Sequence, residues 1–320
     1  MGSAGDGHGV TPYNGVRPGR APRQARRDEV IRMTVNGHSS QLKITTPEVK
    51  RVRASGPILI LAVLFVAGAF LTWYFTWFGR DLSDADISQY LVDEKHPRRV
   101  QHALLQVQHR LERGDPTAKQ WYPQIVGLAG HPETEFRLTA AWLMGFDSKA
   151  TDLHHALLKL VRDPEPIVRR NAALALVRFA DPSGRTELVA MLSPYVVIAT
   201  EEGGVASTLT EGAPLARGTL LARIKRPDDK LVEVRSPLPG KLERIVAPSG
   251  SEVVPGAAIM TINSDEDSLW EALRGLALIG EPQDVPAIEP YASGSVASSD
   301  RIKQQAALTI KAIQSRAKQN

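Results

Sequence analysis

The sequence predicts a mostly helical chain: one membrane-spanning helix, a stack of repeated helix pairs, and an all-β stretch set into that stack. Three observations predict it. An uncharged apolar run occupies Pro57–Phe78, a helical pattern beyond it repeats at an offset of 32 residues, and a β-rich stretch after Pro194 repeats at an offset of 38. With 320 residues and 42% apolar content the chain can bury more than one core. It contains no cysteine, which excludes disulfides, thiolate metal sites and a cysteine nucleophile.

The formal charge of +4 is unevenly placed. Residues 1–56 hold ten Lys and Arg against four Asp and Glu, leaving 29 against 31 in the rest. Residues 1–30, rich in Gly, Pro and Arg, read as a disordered basic tail. A tail that binds acidic lipid or nucleic acid is the alternative. With Tyr13 as its one aromatic, a solvated tail ranks first and no nucleic-acid partner is expected. Within residues 31–56, apolar positions alternate around Asn36-Gly37, which predicts a small β-hairpin. Two strands alone are marginal in water, so the hairpin needs a partner.

Residues 57–78 carry no charge and, as a helix, rise about 33 Å, enough for a hydrocarbon core of about 30 Å. Trp73, Tyr74, Trp77 and Phe78 gather at one end, as interfacial aromatics do. The run begins too far in, and is too long, for the core of a cleaved signal peptide, so it is expected to stay in the mature protein. Lys43, Lys50, Arg51 and Arg53 precede it, whereas Arg80 is followed by Asp81, Asp84 and Asp86. That bias predicts a single pass with the N-terminus cytoplasmic and the C-terminal region outside, which in a bacterium is the periplasmic side of the inner membrane.

Beyond the membrane run, His131-Pro132-Glu133 through Phe136–Met144 matches Asp163-Pro164-Glu165 through Val168–Leu176, with Pro, Arg and an Ala-Ala pair coinciding. Ile302–Leu308 repeats the centre of the pattern. Each unit reads as a helix, a turn with Asp-Pro or His-Pro, and a second helix whose small residues allow close packing; proline suits that second helix's first turn. Ile87–Leu91 with Val100–Leu111 predicts an earlier pair, and Gly114-Asp115-Pro116 before Trp121–Leu128 starts another. This resembles the HEAT-repeat family, in particular the short bacterial type with the pattern DPxxxVRRxAAxAL. The resemblance implies an α-solenoid over residues 83–195, resuming over 265–317, that serves as an interaction scaffold. Arg137, Arg169 and Lys303 share one repeat position. Pairing with an acidic residue inside the stack, for which Asp163 is near enough, ranks ahead of a basic ladder for phosphate or nucleic acid.

Residues 196–264 are dense in Val, Ile, Thr and Gly. Glu211-Gly212 through Gly218 and Ile224 matches Ser249-Gly250 through Gly256 and Ile262, which implies two sheets related by an approximate two-fold axis. Glu-Gly-Ala-x-Leu-x-x-Gly before a charged turn, and Val232-Glu233-Val234-x-Ser236-Pro237-x-x-Gly240 after it, resemble the biotinyl/lipoyl-domain family. The resemblance implies a flattened barrel-sandwich hybrid. That family's carrier function rests on a lysine at the hairpin tip. Registered on Val232-Glu233-Val234, its place falls on Asp229, and the nearest candidate is Lys230, with no flanking methionine. The family's cofactors are attached by cytoplasmic ligases, whereas this stretch is expected outside the cytoplasm, so no cofactor is expected and an unmodified structural module ranks ahead of a modified Lys230. Phe179-Ala180-Asp181-Pro182 matches Ile279-Gly280-Glu281-Pro282 at an offset of 100; subtracting one 32-residue period leaves 68, nearly the length of the β-rich stretch. The stretch is therefore expected inside one helix pair, with its two ends close together.

No HExxH, GxSxG, phosphate loop or strand-borne GxGxxG is present. His102 and His109 share a helical face and His154 adjoins His155, but carboxylates at ligand spacing are missing, so no metal site is expected. Asp81, Asp84 and Asp86 are read as helix capping rather than a calcium loop. The expectation is a non-enzymatic, membrane-anchored scaffold whose partners are proteins in or at the membrane and, through residues 57–78, the lipid bilayer. The alternatives are a periplasmic adaptor-like component of a transport or secretion system, against which the short turn Arg226–Lys230 argues, and a biotin or lipoyl carrier component.

Overall fold

The computed structural model describes residues 56–77, 81–207 and 209–319. The basic tail and, Gly56 apart, the hairpin segment lie outside the described residues. The chain divides into two units, residues 1–68 and 69–320. Helix α1 (Gly56–Trp77) is a 22-residue run with no acidic residue in its first turn and no basic one in its last. Pro57 fits the first turn, where a missing N–H costs nothing. Its large side chains among residues 59–74 are exposed, Phe65 to 78%. Counting only residues whose side chains are described, which in α1 are 56–57 and 59–74, no helix is long and apolar enough to cross a membrane.

Ten further helices form five successive pairs among the described residues. They are α2 (Asp84–Tyr90) with α3 (Pro97–Glu112), α4 (Tyr122–Leu128) with α5 (Thr134–Met144), and α6 (Thr151–Leu160) with α7 (Pro166–Arg178). The last two are α8 (Arg185–Ala190) with α9 (Glu266–Ile279), and α10 (Val285–Ser293) with α11 (Asp300–Ala317). Within each pair the two helices pack together, and the second helices form a row in which α3, α5, α7, α9 and α11 each touch the next. Small residues make that approach possible: Ala140, Ala141, Ala172, Ala173 and Ala272 are fully buried. At Gly184 a methyl group would sit 2.7 Å from the Ala173 backbone, so the fourth pair's first turn can lie on α7 only as glycine.

Proline sits differently from the expectation. Pro132 and Pro164 lie in the turn ahead of α5 and α7 rather than inside it, while Pro97 and Pro166 open their helices. Asp115-Pro116, Asp181-Pro182 and Glu281-Pro282 instead start 3-10 turns (Pro116–Trp121, Pro182–Gly184, Pro282–Asp284) that lead into the first helix of a pair. Asp115 and Asp181 each accept from the backbone N–H two residues on, Glu281 N donates to the Asp284 carboxylate, and proline supplies the fixed φ of each turn.

Between α8 and α9 lie eight strands: β1 (Tyr195–Ile198), β2 (Gly203–Ala206), β3 (Pro214–Leu215), β4 (Leu220–Lys225), β5 (Leu231–Arg235), β6 (Gly240–Ile245), β7 (Glu252–Val253) and β8 (Ala258–Asn263). They make two antiparallel four-stranded sheets, ordered β1-β8-β6-β3 and β5-β4-β2-β7. Replacing β1 by β5, β2 by β6, β3 by β7 and β4 by β8 turns one order into the other. The bulge between Val197 and Ile198, opposite β8, recurs between Leu220 and Ala222, opposite β5. Gly212 and Gly250 have φ of 85° and 92°, and Gly218 and Gly256 have 83° and 87°. Gly212 N donates to Leu242 O, and its counterpart Gly250 N donates to Val205 O.

A shared core of Val197, Val205, Leu221, Ile224, Leu242, Ile259 and Ile262 holds the two sheets face to face. The expected barrel is not closed. Among the described residues each sheet is open, with a two-residue strand, β3 or β7, at one edge, too short to carry pairing across to the other sheet.

Candidate interaction surfaces

The repeat position held by Arg137 forms a buried clamp. Arg137, on α5, reaches the turn before α7, where Nε donates to Asp163 Oδ2 at 2.7 Å and Nη2 to Oδ1 at 3.0 Å. Its Nη1 donates to the carbonyls of His131 and Pro132. The pair leaves 11% and 5% of its side chains exposed. The Asp163 carboxylate raises the Arg137 pKa above its ordinary value, against the opposing effect of burial. Arg169, one repeat on, makes the same two carbonyl contacts, to Asp163 and Pro164, but takes Glu187 of α8 as its carboxylate at 3.0 Å. Lys303 leaves the pattern. Its partner is Asp300, one turn away at 3.8 Å.

The turn between β4 and β5 is closed by Arg226 N donating to Lys230 O and Asp229 N to Arg226 O. Asp229 takes the left-handed conformation, φ 61°, which an aspartate tolerates better than most residues. It stands where the carrier resemblance puts the lysine. Its carboxylate pairs with Lys225 at 2.9 Å, and Lys230, one residue later and 76% exposed, pairs with Asp228 at 3.1 Å. These partners hold the Asp228 and Asp229 carboxyls below, and the Lys225 ammonium above, their ordinary pKa values. The tip's charges are thus taken up in ion pairs, with Arg226 sharing Asp228 at 3.5 Å.

The acidic cluster after α1 is divided between two jobs. Ser83 is the N-cap of α2 and Asp86 closes a capping box with it. Asp84 instead accepts from Arg110 of α3 and from Gln120 at 2.9 Å, bonds that depress its pKa. His154 and His155 lie with ring centroids 6.2 Å apart, and His154 Nε2 meets Asp181 Oδ2 at 2.6 Å while its ring stacks on Phe179. Among the described residues no three His, Asp or Glu side chains gather as metal ligands.

Arg170 was not singled out by sequence reasoning. It is 5% exposed on α7, within 3.8 Å of Glu187, and Nη1 donates to Ser264 Oγ at 3.3 Å; burial lowers its pKa. Ser264 in turn donates to Met191 O at 2.8 Å. Met191 is where the chain leaves α8 for the sheets and Ser264 is where it returns to α9. Beside this junction a cleft of about 610 Å³ opens between the outer face of β6 and β8 and the segment ahead of α11, lined by Lys241, Glu243, Asn263, Tyr291 and Ser298. Tyr291 Oη donates to Leu192 O at 2.7 Å across its base. The one signal available in sequence was the second Arg of the Arg-Arg pair, which points inward where Arg169 points to the surface turn.

Residues 123–201, about a quarter of the chain, match the family described as HEAT repeats. No curated protein matches the chain.

Proposed function

We propose that this chain is a membrane-anchored, non-enzymatic scaffold whose helix stack and inserted β module dock proteins of a membrane complex. The observation that carries the anchor is α1. Over all 22 residues it rises about 33 Å, it has no charge, and the apolar side chains of residues 59–74 are exposed around its circumference. Leaving that surface in water costs about 25 cal/mol per Å², a cost a bilayer removes. The flanking charges favour an N-terminus in the cytoplasm and residues beyond about 80 on the periplasmic side.

The docking role is supported by the family match over 123–201, since helix-pair stacks present long surfaces for partners. It is supported too by the use of Arg137, Arg169 and Asp163 inside the stack rather than at a reactive centre. The pseudo-symmetric pair of sheets and the glycine-marked halves favour a biotinyl/lipoyl-like module, in an unmodified form because Asp229 holds the tip.

Two measurements test this reading. In a bacterial host, the chain is expected in the membrane pellet after an alkaline carbonate wash, with its C-terminal region cut by protease added to intact spheroplasts. Release by carbonate would remove the anchor, and cleavage only after lysis would invert the topology. Chemical cross-linking of the full-length chain in membranes is expected to give discrete higher-mass adducts with other proteins; a chain that stays monomeric and uncross-linked would remove the scaffold.

A further inference from the structure

His155 and Lys159 lie one turn apart on α6, and Arg162 follows in the turn just beyond the helix. All three are exposed. Among the described residues none of them has an ion-pair partner, whereas Arg137, Arg169, Arg170 and Arg185 nearby each have one. They line a groove of about 690 Å³ whose opposite wall is Ser183, Thr186 and Glu187, with half-buried Leu158 and Val161 also lining it. The groove's one carboxylate is already committed, because Glu187 serves both Arg169 and Arg170. The groove therefore holds net positive charge between two successive first helices of the stack.

We propose that this groove binds an acidic peptide segment of a partner protein in extended conformation. The inference rests on the scaffold reading and names the chemistry of one of its docking surfaces. Lys159 and Arg162, three residues apart in sequence, supply the groove's positive charge. Alternate side chains of an extended strand fall on one face about 6.8 Å apart, so carboxylates two residues apart can meet Lys159 and Arg162 in turn. A concave, partly apolar groove also suits a single chain better than a planar bilayer surface, and the charge match steers encounter while the fit sets the register.

The test uses a fluorescein-labelled peptide with Glu at every second position and Ala between, titrated by anisotropy with the full-length chain in non-ionic detergent. Binding is expected to weaken as salt rises, and Lys159→Glu with Arg162→Glu is expected to lower affinity at least tenfold. The milder Lys159→Ala with Arg162→Ala is expected to fall between, which guards against a misfolded double reversal; far-UV circular dichroism monitors folding. Lys311→Glu with Lys318→Glu, on α11 and just beyond it, is expected to bind as wild type.

Equal binding by wild type and both groove variants, no binding at low salt, or equal binding of a peptide with Gln in place of Glu would overturn the proposal. So would displacement of the peptide by vesicles of anionic lipid that themselves need Lys159 and Arg162. The two readings fail separately: cross-linked partners that persist unchanged in the groove variants leave the scaffold standing and remove only the groove's role.

Discussion

Replacing Asp163 by alanine tests whether the helix stack depends on its internal ion pair. The carboxylate accepts two bonds from Arg137, at 2.7 and 3.0 Å, and one from Glu165 N at 2.9 Å. Removing one member of a buried pair costs about 3–5 kcal/mol, because the other charge is left in a poor solvent. Arg137 keeps the His131 and Pro132 carbonyls, which places the cost toward the lower end, about 3–4 kcal/mol with the lost turn contact included. At 2–4 °C per kcal/mol for a unit of this size, the melting midpoint is expected to fall by roughly 10 °C.

Arg137→Ala should cost a similar amount. The double variant should cost less than the sum by about 2–3 kcal/mol, since no charge is then stranded. Arg137→Met with Asp163→Leu should recover much of the loss. The assay is thermal unfolding followed by far-UV circular dichroism for all four variants in one detergent. Strict additivity of the two alanine substitutions, or a cost below 1 kcal/mol for Asp163→Ala, would refute a buried, coupled pair.

Gly203 and Gly240 occupy equivalent places in the two β halves, and at each a methyl group would sit 2.1 Å from a carbonyl oxygen, of Lys225 or of Asn263. Alanine at either is expected to cost at least about 2 kcal/mol, read as lost amide-exchange protection in β2, β4, β6 and β8. Gly218→Ala, where the space is open, should cost only about 1 kcal/mol of backbone strain. For Asp84, hydrogen bonds from Gln120 and Arg110 place the folded pKa below the ordinary value of 3.8. Its stabilising effect is therefore present above pH 3.8 and lost as pH falls through the lower folded value. The melting difference between wild type and Asp84→Asn should be constant near neutrality and shrink below about pH 4; a difference that instead grows in acid would contradict it. Intact mass spectrometry is expected to show Lys230 unmodified, and an adduct of biotin or lipoate would restore the carrier reading.

The helical pairs were legible because their signal is local. The Pro, Arg and Ala-Ala positions recur at 32 residues, and those residues are the turn, the clamp and the close packing contact seen between α5 and α7. The two β halves were legible for a similar reason, since a positive φ at Gly212 and Gly250 or at Gly218 and Gly256 excludes most other residues and leaves a spaced pair of glycines in the sequence.

What stayed hidden depends on partners far along the chain. Asp163 was a sound choice for Arg137, but Arg169 takes Glu187, which lies outside the repeated motif. Arg170 reaches Ser264 across 94 residues, a contact that no spacing announces. Closure of the sheets into a barrel was expected from resemblance, and sequence pattern does not report it, because closure depends on edge pairing. The edges also differ. β1 and β5 are equivalent, yet β1 exposes Val196 and Ile198 by about half where β5 carries Glu233 and Arg235, paired at 2.6 Å. The backbone repeats more faithfully than the surface does.

That difference bears on how a β module can sit inside a helix stack without breaking it. The chain leaves after α8 and returns before α9, yet α8 and α9 still pack, and α7 touches both. Two hydrogen bonds in series, Arg170 to Ser264 and Ser264 to Met191, tie the departing and returning strands together at the point of crossing. Tyr291 adds a third tie from α10 to Leu192. Because β1 and β8, the first and last strands, are hydrogen-bonded neighbours in one sheet, the module itself brings its ends together. The stack thus carries a small loop-closure burden, since a folded insertion with adjacent ends behaves like a short loop. The same logic explains why one buried core joins Ala173 and Leu188, ahead of the strands, to Leu273, Leu276 and Ile288 beyond them. The sheets interrupt the chain, and the packing row of second helices runs on across the interruption.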